Sequence, residues 1–218
     1  MKQIFILAGG LFFLAACTSP SVIVKNKKDA TRPYTKILAV YMPEGCDFAL
    51  FDSTAYNICL RSCFSSVETF DLRELVESRI QKHLKTKGTN VLRSVDFFDA
   101  YSYDYTYFRR TVDSLKVDAV LMVGLRSHSN EEHEKWMMQP TGLTTPTGVP
   151  MESSTLVRYK TRNAFFVCDL LNPRSLYMPI WRAEIEERGK SYVGDNGLNR
   201  NMTKKLAESL KGAHYIAH

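Results

Sequence analysis

The chain has 218 residues, 44% of them hydrophobic and 24% charged, with a formal net charge of +6. These are ordinary globular values, with enough apolar material for a sizeable core in one domain, with or without insertions. The cationic excess is mild and interspersed, apart from Lys25, Lys27 and Lys28. It lacks the concentrated stripe and recognisable module of a nucleic-acid binder.

The N-terminus comes first. Lys2 is followed by an apolar run from Ile4 to Leu14, then Ala15, Ala16 and Cys17. The run has signal-peptide length. It is interrupted by Gly9 and Gly10 and is too short for a transmembrane helix, which needs ~20 apolar residues. An ordinary secretory signal would tolerate the same two alanines and release a soluble product. The small residues directly before the cysteine resemble the bacterial lipoprotein lipobox. That resemblance implies that residues 1–16 are removed as a lipoprotein signal peptide. It also implies that the Cys17 thiol carries two fatty acyl chains of the palmitate type, and its new amine usually a third. Each buried methylene contributes ~0.8 kcal/mol, so such an anchor is close to permanent. Thr18 follows instead of Asp, which under the enterobacterial sorting rule implies the outer membrane, with the body facing the periplasm.

Residues 17–35 are polar, with Ser19, Pro20, Lys27, Lys28 and Pro33, and are expected to be a tether. Lys36–Met42 is a continuous apolar run stopped by Pro43, the pattern of a strand buried on both faces. Residues 44–66 show no clear periodicity and are expected to be an insertion. Leu72, Leu75, Val76, Ile80 and Leu84 share one face of a helix over 72–87. Asp71 and Glu74 are spaced as a capping box, and Gly88 suits the C-terminal end. Asn90–Phe98 is expected as a strand, Asp104–Lys116 as a helix, and Ala119–Leu125 as another buried strand. Residues 126–155, charged and then Pro/Thr/Gly-rich, are expected to form a long surface loop. Leu156–Leu171 and Tyr177–Glu187 complete a hairpin around the turn Asn172-Pro173-Arg174-Ser175. In its second strand Trp181, Ala183 and Ile185 alternate with charged residues. A last helix covers about Leu198–Lys211.

The order is β-α-β-α-β-β-β-α, which predicts an α/β fold: a mixed sheet of about five strands in two or three layers, closed by a C-terminal helix. Residues 36–218 are then one domain, with insertions at about 44–66 and 126–155. The buried first strand, the helix L-R-E-L-V-E-S-R-I, the strand D-A-V-L-M-V-G and the hairpin D-L-L-N-P…W-R-A-E resemble a family of periplasmic lipoprotein domains. That family includes the curli-secretion lipoprotein and the N-terminal domain of TolB. It carries no shared catalytic residues, so the resemblance implies a role for Cys17 alone.

Four further cysteines are Cys46, Cys59, Cys63 and Cys168. Outside the cytoplasm, Cys46 with Cys59 or Cys63 would staple a local segment, whereas Cys168 sits in an apolar run as a buried thiol. No C-x-x-C redox motif and no paired histidines for zinc are present. His128 and His133, among Glu131, Glu132 and Glu134, are spaced i, i+5, which suits a solvated charged segment better than a metal site. Tyr101, Tyr103, Tyr105 and Tyr107 alternate. Extended, they would form an aromatic ladder for a glycan or partner; helical, they scatter around the axis. Residues 151–161 have one charge-free face as barrel strands do, but 126–138 do not, so a pore is not expected.

No nucleophile elbow, phosphate-binding loop or catalytic-cysteine signature is present. The expectation is a membrane-anchored, non-enzymatic envelope protein with no cofactor or metal, binding another envelope component in assembly, secretion or structure. The alternative is a lipoprotein that binds a glycan or peptide through Tyr101–Tyr107 or the 126–155 segment. An enzyme using Cys59 or Cys63 comes third.

Overall fold

The computed structural model describes residues 22–27, 32–42, 52–64, 67–98, 104–144, 150–189 and 195–217. Residues 1–16, expected as a signal peptide, and Cys17, Cys46, Tyr101 and Tyr103 lie outside the described residues. In chain order the elements are β1 (Val22–Lys27), β2 (Lys36–Met42), α1 (Ser53–Phe64), α2 (Val67–Leu84), β3 (Asn90–Arg93), a 3-10 turn (Ser94–Asp96), α3 (Tyr105–Leu115), β4 (Ala119–Thr144), β5 (Pro150–Asn172), β6 (Ser175–Gly189) and α4 (Asp195–Gly212).

The six strands form one mixed sheet in the order β1-β6-β5-β4-β2-β3. β2 lies parallel to β3 and β4, while β4, β5, β6 and β1 pair antiparallel. The apolar runs at β2 and the start of β4 are buried on both faces, because helices cover both sides. On one side α2 and α4 contribute Val76, Ile80, Leu84, Met202, Leu206 and Leu210 to a core with Trp181 and Ile185. On the other, α1 and α3 contribute Tyr56, Leu60, Phe64, Phe108 and Val112, packed on Leu38, Val40 and Met122. The result is the three-layer form of the expected α/β fold.

The hairpin turn after β5 is as read: Asn172 pairs with Ser175, and Asn172 Oδ1 accepts the Arg174 N–H at 2.9 Å. Asp104 caps α3, its carboxylate accepting the Tyr107 N–H at 3.1 Å. Lys116 ends that helix in the left-handed region, φ 50°.

Four expectations are corrected. The segment read as a tether contributes β1, an edge strand whose β-branched Val22, Ile23 and Val24 pair with β6 despite the lysines that follow. The 44–66 segment contains a helix, α1, with Asp52 accepting the Ala55 N–H at its start. Its buried Tyr56, Cys59, Leu60, Cys63 and Phe64 fall at helical spacing once the cysteines are counted as core. Helix α2 begins at Val67, so Asp71 sits inside it and not at its cap. The 126–155 loop is, over its described residues, regular structure: β4 and β5 continue past the sheet as one long antiparallel ladder, reaching Thr144 opposite Pro150. Neither core cluster extends onto that ladder beyond Ala164, so it has no hydrophobic period to read.

Candidate interaction surface

The long hairpin is the most distinctive feature of the molecule. β2 accompanies β4 only as far as Gly124, and β6 accompanies β5 only as far as Arg162. Beyond those points the ladder continues to Thr144 and Pro150 with no further sheet partner on either edge among the described residues. At ~3.3 Å per residue, the run from Ser127 to Thr144 has a contour of ~55 Å. The two strands differ in charge. Outer β4 carries Glu131, Glu132 and Glu134 with Lys135; outer β5 carries Arg158, Lys160 and Arg162. Register puts Glu132 opposite Lys160 and Glu134 opposite Arg158, and Arg158 Nε donates to Glu134 Oε1 at 2.7 Å. Cross-strand charge pairs of this kind fix register in a ribbon that has no core. Past them come Trp136 opposite Leu156, then Met137 and Met138, all exposed.

At the root of the hairpin, on the α1/α3 side of the sheet, a shallow polar recess is lined by Ser127, Ser129, Glu131, Asn163, Phe165 and Glu186. The Asn163 Oδ1 atom there is buried without a hydrogen bond. The Arg126 guanidinium lies 5.9 Å from the centre of the Phe165 ring. Hydroxyls, an amide, carboxylates and a ring face are the groups that hold a polar ligand such as a glycan.

On the opposite side, Glu187 of β6 is fully buried with Lys205 of α4 at 3.7 Å. Burial pushes its carboxyl up to about 7, against the pull of Lys205. A second buried acid, Glu77 of α2, organises the ends of the parallel strands. Its Oε1 accepts the Tyr41 N–H at 2.9 Å and the Ser94 hydroxyl at 2.6 Å, and its Oε2 accepts the Val95 N–H at 3.0 Å. Arg73, one turn earlier, donates to Ser94 Oγ at 2.7 Å and lies 3.9 Å over the Phe64 ring. Burial raises the Glu77 carboxyl while Arg73, Ser94 and the two amides oppose it. Sequence alone does not single out this pair. Arg73 and Glu77 are spaced i, i+4 on a helix that announces itself by its leucines, and nothing in that spacing distinguishes a buried pair from a surface one.

The candidate residues singled out in the sequence fall as follows. Tyr105 and Tyr107 are two positions apart on α3. Tyr105 is buried against Tyr56 and Tyr177, ring centroids 4.9 and 5.7 Å away, whereas Tyr107 is exposed and edge-on to Phe98. The two do not share a surface. Cys59 and Cys63 stand one turn apart on α1 inside the core, and the Cys63 thiol donates to the Tyr41 carbonyl at 3.0 Å. Burial pushes that thiol up to about 12, so it is uncharged at neutral pH, the opposite of an activated nucleophile. Cys168 is a free thiol at the centre of the sheet. His128 and His133 occupy positions of opposite parity on β4, which belong to opposite faces of the hairpin. No group of three potential metal ligands occurs among the described residues. No helix among them is long and apolar enough to cross a membrane.

No protein-family model and no curated protein matches the chain. Solved structures do. A dodecamer of a point variant of PelC from Paraburkholderia phytofirmans is 13% identical, with a TM-score of 0.43, covering 89% of this chain and 98% of that one. A second PelC dodecamer structure from the same organism gives 12% identity and a TM-score of 0.42 over 86% and 96%. A putative neuraminyllactose-binding hemagglutinin homologue from Helicobacter pylori gives 12% and 0.37 over 87% and 92%.

Proposed function

We propose that this chain is a lipid-anchored, non-enzymatic protein of the cell envelope. Its α/β body holds another envelope component in an assembly, secretion or structural role. The observation that carries this reading is the hairpin that outruns its sheet. Each open edge offers a row of N–H and C=O groups to a further strand. Acidic side chains along one strand and basic ones along the other select which strand is accepted. The lipobox resemblance that ends at Cys17 and the absence of a catalytic signature in the sequence support the same reading.

Crosslinking in intact cells from a photoreactive group at Glu134 tests it. A discrete partner band is expected. It should disappear when Glu131 and Glu132 are together replaced by Gln, with an unchanged melting temperature. Reproducible crosslinking to nothing overturns the reading.

The recess at Ser127, Asn163 and Phe165 favours a second reading, in which the protein binds a glycan or peptide. A thermal-shift screen separates the two, because a ligand at 100 times its dissociation constant stabilises by ~2.7 kcal/mol. An Asn163→Ala variant should lose that gain while still forming the Glu134 crosslink.

A further inference from the structure

The direction of β1 ties the hairpin to the membrane. Val22 pairs with Ile185, Ile185 with Phe166, and Phe166 with Leu125. β1 is antiparallel to β6 and therefore starts at the end of the sheet from which the hairpin projects. Five peptide units separate Cys17 from Val22, a reach of at most ~18 Å. The same distance along the hairpin is five ladder positions past Phe166, at the level of Thr161 and Glu131. Trp136 and Leu156 lie five positions further out, and Pro150 eleven. A bilayer that holds an acylated Cys17 therefore meets a hairpin that continues the line of the sheet.

Composition changes at that level. Charged residues crowd 131–135 and 158–162, but from Trp136 to Val157 the sequence carries a single charge, Glu152. Trp136 is 66% exposed and Met138 69%, with Met137 and Leu156 also uncovered. These apolar side chains belong to neither core cluster. Trp is at home where hydrocarbon meets headgroups, and Lys135 and Arg158 border this nearly uncharged stretch in sequence. A lone ribbon has two open edges and cannot lodge in hydrocarbon, so the headgroup zone is the depth that suits it.

We propose that the exposed side chains Trp136, Met137, Met138 and Leu156 of the outer hairpin form a second membrane contact, in the interfacial zone of the bilayer that holds Cys17. This rests on the anchor reading above. With the acyl chains supplying attachment, the hairpin supplies orientation. Because Trp136 lies five ladder positions beyond the level that Cys17 can reach, the sheet leans along the bilayer so that both meet it.

The chain's two tryptophans make the test direct, since Trp181 is fully buried while Trp136 is exposed. The mature protein, purified from membranes and reconstituted, is compared in vesicles of ordinary and of brominated phosphatidylcholine. The Trp136 emission should move to the blue and fall by about half in brominated lipid, as for an interfacial tryptophan. Trp136→Phe should abolish both effects and leave the Trp181 signal intact. Emission unaffected by bromine overturns the contact. So does a blue shift that follows protein concentration without lipid, because a second copy then covers the tip. Mass spectrometry of the N-terminus separates the two readings. An unmodified Cys17 overturns the anchor alone if the bromine effect on Trp136 persists, and both proposals if it does not.

Discussion

β4 and β5 are each one continuous strand, yet their two halves live in different physical worlds. From Ala119 to Val123 and from Phe166 to Leu171 every side chain is buried, with helices on both faces and sheet neighbours on both edges. From Ser127 to Thr144 and from Pro150 to Thr161, among the described residues, the same strands pair only with each other, and neither core cluster reaches them. Stability is therefore concentrated at the root, while the outer half is held by backbone pairing and cross-strand charges. Side chains that fold the protein and side chains that meet other molecules are separated along a single pair of strands.

The largest effect that would sharpen this contrast is at the root's support. Glu77→Ala should destabilise by about 3–5 kcal/mol in chemical unfolding, because it leaves Arg73 buried and uncompensated. Leu121→Ala, inside the buried part of β4, should cost about 2–5 kcal/mol.

A pH effect comes next, on β6 beside the root. Glu187 titrates near 7 in the folded protein and near its ordinary value when unfolded. Folding thus takes up a proton between those values, and stability falls as pH rises across that window. Glu187→Gln should flatten this slope and raise stability above pH 7, by on the order of 1 kcal/mol. An unaltered slope in the variant would show that the carboxyl ionises normally.

The smallest effect belongs to the outer half. Arg158→Ala breaks an exposed pair with Glu134 and should cost less than ~1 kcal/mol. A loss comparable to that of Leu121→Ala would erase the distinction between the halves.

The same division explains what can be read from the sequence. Buried elements announce themselves: the run Lys36–Met42, the stripe on α2 and the alternation Trp181, Ala183, Ile185 all follow from burial on two faces or one. Among its described residues the outer hairpin has no buried face, so Glu131–Lys135 reads as a charged loop. Its signal lies in long-range register, Glu134 against Arg158 and Trp136 against Leu156, which no local window contains. Helix α1 escapes for a different reason. Cys59 and Cys63 invite a reading as bridging residues, although their spacing with Tyr56, Leu60 and Phe64 traces an amphipathic stripe. The polar recess brings Ser127 together with Asn163 and Glu186 from three strands, and only the fold makes them neighbours.

The edge strand β1 has a practical consequence. It covers the central part of β6, from Trp181 to Ile185, which would otherwise border the sheet. A recombinant version trimmed to begin at Arg32 would expose that segment, with Lys25 no longer 3.3 Å from Glu184. Such a bare margin invites strand-swapped dimers and precipitation. Any version trimmed at the N-terminus should therefore keep Val22 onward.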